Sequence, residues 1–280
     1  MMECRDINDL GGYGARYDYT AYLSRRDWAY EHIRRIPAFE ATAWRACNTG
    51  LVSQPACHQI TLLKMQRPEP EAEAWGLKFF PNPSVAAPKA HVFWTDDAHG
   101  EKVHLKVSER MPGEVDRIFE QTVVKCQILH LTDWEGFEHL VIQGKGCSIQ
   151  ARCTGLSLTS TDPVKMSFDV DAVDDIGKFT RILEQSKRVY GDQITSPPIF
   201  TRKAKLMRNG LIALDGNRAG LSDRQIAWII EGRDQVESGV AKGDRSLIKR
   251  VKTYRDNADA LCNGGFRALL VPRLSMALSA

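Results

Sequence analysis

Leu221-Ser222-Asp223-Arg224-Gln225-Ile226-Ala227-Trp228-Ile229-Ile230 reads as a short helix with a defined start. Ser222 followed three residues later by Gln225 is a capping box, in which each side chain answers the other residue's backbone amide. Ile226, Ala227 and Ile230 then form a stripe to be buried, and Ala227 is small where two helices approach. Upstream, a basic helix candidate beginning near Phe200 runs into Leu214-Asp215-Gly216. Downstream, Gly232 lets the chain leave the short helix. Gly239 and Gly243 then punctuate a loose turn, longer than the roughly 3–4 residues usual between the helices of a helix-turn-helix. A long Lys/Arg-bearing helix follows and closes on Gly264-Gly265-Phe266-Arg267-Ala268-Leu269-Leu270. Helix, short helix, turn and basic helix is the order of a helix-turn-helix DNA reader.

Rotation along the last helix sharpens this. At about 100° per residue, Leu247, Ile248, Val251, Tyr254, Ala258 and Leu261 fall on one arc and should face a core. Arg245, Lys249 and Lys252 fall opposite, flanked by Ser246, Arg250 and Thr253. Cations and hydroxyls on one exposed face suit phosphate contact and base-edge reading in a major groove, and we favour that over a merely solvated basic face. Arg255 falls inside the apolar arc and is expected to be structural or to snorkel. On the upstream helix, Arg202, Lys205 and Arg208 recur every third residue, with Ala204, Met207, Leu211 and Leu214 facing inward. Those three cations either clamp phosphate or keep an exposed face soluble. Arg224, at the start of the short helix, is placed for DNA backbone contact, the alternative being an ion pair with Asp223 or Asp215.

Charge is divided unevenly along the chain. Residues 200–280 hold 15 Lys and Arg against 8 Asp and Glu, and subtraction from the chain's 38 and 35 leaves 23 against 27 for residues 1–199. A basic end behind an acidic front points to an anionic partner for that end, double-stranded DNA above all. All seven histidines lie in the first 139 residues, so the basic third owes nothing to them.

Length and composition set the class. A chain of 280 residues with 43% hydrophobic residues suggests two domains with ordinary cores. No apolar run approaches the roughly 20 residues that span a bilayer. Met1-Met2-Glu3-Cys4-Arg5-Asp6 lacks the apolar stretch of a secretory signal. Seven cysteines, an odd number without a CxxC pair, fit reduced thiols. A soluble cytoplasmic protein, associated with the nucleoid and making no use of a membrane, is expected.

Earlier segments read as an α+β arrangement. A helix spans residues 20–47 with Ser24 as cap; Pro37 interrupts it, and Phe39 to Cys47 forms a second short helix. Pro68, Pro70, Pro81, Pro83 and Pro88 mark irregular structure, inside which Trp75 to Phe80 suggests a short strand. His91 to Trp94 and Val103 to Val107 flank a polar turn and read as a hairpin. Further strands are expected at Val123–Thr132, Phe137–Gln143, Cys147–Cys153 and Val164–Val170, with Gly144-Lys145-Gly146 as a turn. From Asp171 an amphipathic helix carries Val173, Ile176, Phe179, Ile182 and Leu183, and Pro197-Pro198 breaks the chain before the basic helices. The expected domains are a small helical N-terminal region within residues 1–110, a strand-rich middle at 111–170 and an all-helical helix-turn-helix-type domain at 171–280.

Enzymatic readings fare poorly. His91, Asp96, Asp97, His99 and His104 have metal-ligand chemistry but are more simply polar residues of a hairpin. The run Gly239 to Asp244 lacks the GK[ST] ending and the preceding strand of a phosphate loop. Cys57-His58 has no second ligand pair at zinc spacing. Asp169, Asp171, Asp174 and Asp175 suit a helix N-terminus better than a nuclease site. No catalysis, cofactor or metal is expected. In the N-terminal helix, Arg26, Trp28, Arg34 and Arg35 combine the residue types enriched at protein interfaces, although such residues also pack small helical domains.

These residues carry a resemblance. Leu211-x-Ala213-Leu214-Asp215-Gly216, Gly220-x-Ser222-x-Arg224-x-Ile226-Ala227 and Gly264-Gly265-Phe266-Arg267-x-Leu269-Leu270 resemble a bacterial domain family, formerly uncharacterised and regarded as a helix-turn-helix variant. The run Arg25-Arg26-Asp27-Trp28-Ala29-Tyr30-Glu31-His32-Ile33-Arg34-Arg35 resembles the transcriptional regulator-like domain often found upstream of it, except that Ile36 stands before Pro37 where that family has Asn. The pairing is similar to the excision activators of integrative and conjugative elements. It implies a sequence-specific transcriptional activator of excision or transfer genes, bound at promoter DNA and opposed by a small antiactivator built from the same C-terminal domain. Two rival roles remain open: an accessory recombination factor at an attachment site, and an antiactivator, against which the chain's length argues. On the activator reading, residues 171–280 bind DNA alone with strong salt dependence, and residues 24–47 act afterwards by contacting RNA polymerase or a second protomer.

Overall fold

The computed structural model describes residues 10–46, 50–57, 60–98, 103–115, 127–144, 147–168 and 200–271. Contacts divide the chain into two compact units: Met1–Leu23 with Ser196–Phe266, and Ser24–Thr195 with Arg267–Ala280. The fold class is α+β, a seven-stranded mixed sheet in one unit and a helical assembly in the other.

The helical unit places α1 (Leu10–Ala15) and a 3-10 turn (Asp18–Tyr22) with four C-terminal helices: α5 (Arg202–Arg218), α6 (Asp223–Glu231), α7 (Arg233–Ala241) and α8 (Ser246–Ala260). Residues 10–22 therefore pack with the basic third of the chain, inside the boundary expected for the N-terminal domain at 1–110. Tyr17 donates its hydroxyl hydrogen to Asp215 at 2.7 Å, and Arg208 donates to the Gly14 carbonyl at 2.9 Å. Thr201 caps α5, and the Ser222–Gln225 capping box forms as its residues require. Leu211 and Leu214 are buried on α5, Ile226 and Ala227 on α6, and Val251, Tyr254 and Ala258 on α8.

One expectation here is overturned. The segment after Gly232 is not a loose turn but the nine-residue helix α7, and Gly232, at φ 93°, both ends α6 and begins α7. Val236 and Val240 face inward one turn apart, and that spacing is the helical signal behind the glycines.

The sheet unit has strand order β1-β2-β4-β5-β6-β3-β7. The strands are β1 (Leu51–Cys57), β2 (Ile60–Met65), β3 (Val103–Glu109), β4 (Gln127–Thr132), β5 (Glu138–Gly144), β6 (Cys147–Gly155) and β7 (Val164–Phe168). β2–β4 and β3–β6 are parallel and the other pairs antiparallel. Both faces carry apolar side chains. One holds Val103, Leu105, Ile128, Leu140, Ile142 and Ala151; the other holds Leu63, Leu129, Leu131 and Val141 beneath Phe79 and Phe93.

The expected hairpin of His91–Trp94 with Val103–Val107 does not form. β3 pairs with β6 and β7, while Trp94 bridges Leu77. The Gln150 amide accepts from Trp94 N at 3.0 Å and donates to Trp94 O at 2.7 Å, so the backbone groups a hairpin partner would use are already taken. Trp75–Phe80 is a turn after the short helix α4 (Pro70–Ala74), not a strand. The β1–β2 hairpin is hidden in the sequence because Pro55 argues against a strand, yet Pro55 is tolerated on this edge strand. The helix expected from Asp171, together with Asp169, Asp174, Asp175, His58, His99, Lys145, Gly146 and residues 123–126, lies outside the described residues.

The N-terminal helices α2 (Arg25–Ile33) and α3 (Pro37–Ala46) belong to the sheet unit, and Ser24 caps α2 through a capping box with Asp27. The short helix α9 (Arg267–Leu270) packs against α2, and Arg25 donates to the carbonyls of Ala268 and Val271. The interface reading of Arg26, Trp28, Arg34 and Arg35 is corrected by their burial. Arg26, Trp28 and Arg35 are 4, 4 and 8% exposed, and the Arg34 side chain 16%. Arg26 donates to Val92 O at 2.9 Å and Gln150 Oε1 at 3.0 Å; Trp28 stacks on His32. Arg34 and Arg35 both reach the fully buried Glu31, at 2.7 and 2.6 Å, and the Ala87 amide donates to its other oxygen at 2.7 Å. These charges fasten α2 to its own core, so Arg26, Trp28, Arg34 and Arg35 are not a free contact surface.

The buried Glu31 makes the sheet unit sensitive to acid. Burial raises its carboxyl pKa, but Arg35, Arg34 and the Ala87 amide outweigh it and hold the pKa at about 2, against 4.5 when unperturbed. A depressed pKa contributes stability that is present above 4.5 and lost as the pH falls towards 2, on the order of 3 kcal/mol. Urea titrations of the full chain should show the sheet transition weakening through that window, and Glu31→Gln should flatten the dependence. In the helical unit, Tyr17→Phe removes the bond to Asp215 and should cost about 1–2 kcal/mol by the same measurement.

Candidate nucleic-acid interface

The interface is set by how α8 is held. It packs against α5 and α6, which also pack on each other, so three helices share a core while α7 leans mainly on α6. Val251, Tyr254 and Ala258 point into that core. Arg245, Ser246, Lys249, Arg250, Lys252 and Thr253 are exposed, as the rotation of the helix requires. Their environments differ. Ser246 is engaged by Asp244, which accepts from its amide at 2.7 Å and its hydroxyl at 3.1 Å. Those two bonds hold the Asp244 carboxyl below the usual range. Arg250 lies 3.8 Å from Glu231. Arg245, Lys249 and Lys252 make no ion pair among the described residues and are open to an anion. Arg255 is structural, bound to Asn217 and Asp223 at 3.1 Å each.

On α5 the three cations separate. Arg202 and Lys205 are exposed near the helix start. Arg208 turns back to Gly14 and to Asp18 at 3.2 Å, and covers the Phe200 ring at 5.2 Å. It is a structural brace. Arg224 pairs with neither Asp223 nor Asp215; its partner is Glu237 of α7, through Nε at 2.8 Å and a second guanidinium contact. Trp228 Nε1 donates to the same carboxylate at 2.7 Å, and the Arg224 and Arg233 guanidiniums lie 5.7 and 5.2 Å from the Trp228 ring centre. Glu237 thus ties α6 to α7 and leaves two guanidiniums beside an indole at the surface. An exposed pair of this kind is weak and can be exchanged for a phosphate. Sequence reasoning missed Arg233 and Glu237, because a segment taken for a turn gave no reason to set their side chains beside Arg224.

Elsewhere, Asp96 takes Arg152 at 3.4 Å, and among the described residues no group of three His, Cys, Asp or Glu side chains is placed to hold a metal ion. No described helix is long and apolar enough to cross a membrane.

Comparison with known families agrees with this geometry. Residues 167–271 match the RovC DNA-binding domain model, described as the DNA-binding domain of a T6SS transcription factor. No curated protein matches the chain. The match spans α5 to α8, which include the exposed basic face, and supports a DNA-binding regulator.

Proposed function

We propose that the protein is a sequence-specific transcriptional activator that reads promoter DNA with α8 and works by binding, without catalysis. The observation that carries this is the exposed face holding Arg245, Lys249 and Lys252 without ion pairs among the described residues, on a helix whose opposite face is buried. Thr253 and Ser246 are hydroxyls suited to base edges, and Arg250, Arg202, Lys205 and Arg224 are the phosphate contacts. RNA polymerase, and a small antiactivator of the same C-terminal family, are the proposed protein partners. The resemblance to excision activators favours excision and transfer genes of a mobile element as targets. The matched family's description offers secretion genes instead, and genome-wide occupancy separates the two.

Replacing Lys249 and Lys252 together with Ala should reduce promoter activation to background in a reporter assay. Both are exposed, so the fold should lose no more than about 0.5 kcal/mol. Val251→Ala, between them in sequence but 1% exposed, should instead destabilise by about 1–3 kcal/mol. Full activation by the double variant would show that α8 is not the reading helix.

A further inference from the structure

The sheet face that carries Ile128, Leu140 and Ala151 ends in a cavity of about 660 Å³. Its floor is one row of residues opposite one another across five strands: Val52 on β1, Lys64 on β2, Thr132 on β4, Glu138 on β5 and Cys153 on β6. Lys64 and Glu138 are two strand spacings apart, about 10 Å between Cα atoms, with the Thr132 hydroxyl between them. The rim carries Phe137 and Leu156, 43 and 47% exposed, and the Arg152 guanidinium lies over the Phe137 ring at 4.1 Å. Exposed apolar side chains around a few convergent polar groups are the ordinary make-up of a small-molecule site.

The polar groups have definite states. Glu138 accepts from Ser157 Oγ at 2.5 Å and Leu158 N at 2.8 Å, and its side chain is 11% exposed. Burial raises its pKa, but His130 at 3.6 Å and the bonds from the Leu158 amide and Ser157 outweigh this, so it is a fixed anion at neutral pH. A carboxylate oxygen can accept more than one hydrogen bond, which leaves capacity for a ligand donor. Burial, with Glu138 beside it, pushes the Cys153 thiol up to about 12. A thiol held protonated is a poor nucleophile.

A simple anion would meet the Glu138 carboxylate, and a simple cation would meet Lys64. We propose that the cavity binds a small zwitterion with an apolar side group, of the amino-acid class. Its ammonium donates to Glu138, its carboxylate accepts from Lys64, and its apolar group lies against Phe137 and Leu156. The site belongs to the sheet unit alone, and the inference does not depend on the DNA-binding reading.

Calorimetric titration of the full chain with L-phenylalanine, its N-acetyl derivative and its amide tests this. The expected result is saturable heat with phenylalanine and affinity about tenfold weaker for each blocked analogue. Lys64→Ala, at an exposed position, should weaken phenylalanine but leave the amide unchanged, and Phe137→Ala should weaken all three. No saturable heat with any compound, equal affinity for all three, or binding untouched by both substitutions overturns the proposal.

Discussion

A Cβ on Gly210 would lie 3.2 Å from the Ala258 Cβ and from the Tyr254 carbonyl. Bare backbone at that point lets α5 and α8 come close enough for Val251, Tyr254 and Ala258 to be buried. Burying that face leaves the rotation of α8 little freedom, since each residue turns about 100°. Arg245, Lys249 and Lys252 are turned to solvent for that reason. The basic face is thus a consequence of packing as well as of composition, and the capped start of α6 supports it from the second side of the core. Chain from the far N-terminus completes the unit, with Tyr17 on Asp215 and Arg208 on Gly14.

The sheet unit solves a different problem with charge. Its N-terminal helix buries Glu31 and satisfies it with two guanidiniums and a backbone amide, which is costly to break from either side. Gln150 likewise closes the backbone of Trp94 while accepting from Arg26. These polar contacts fix segments between residues 75 and 94 that have little regular structure of their own, beside the sheet face that holds Leu129 and Val141.

How much was legible in the sequence follows from the range of each interaction. Local signals read well: the Ser24 and Ser222 capping boxes, the inward arc of α8 and the alternation of β5 to β7 all lie within a few residues of their cause. Partnerships across long separations did not. Nothing near Val103 says that it pairs with β6, and nothing near Glu31 says that the Ala87 amide will bind it and bury it with Arg34 and Arg35. Arg and Trp side chains on a helix look alike whether they face a partner or their own core. Glycine misled in the other direction, since Gly239 and Gly243 concealed α7 and with it the Glu237 that holds Arg224. Most of the candidate site was legible because it sits on one helix whose period declares which side is free.

The central claim is that the exposed cations of α8 meet phosphate. The dependence of DNA affinity on salt tests it most directly, measured for the full chain and for Arg245→Ala, Lys249→Ala and Lys252→Ala. Removing one cation that neutralises a phosphate should lower the slope of log affinity against log salt by about 0.9. The account predicts a fall of that size for each substitution. A slope unchanged in all three, with affinity intact, would contradict it.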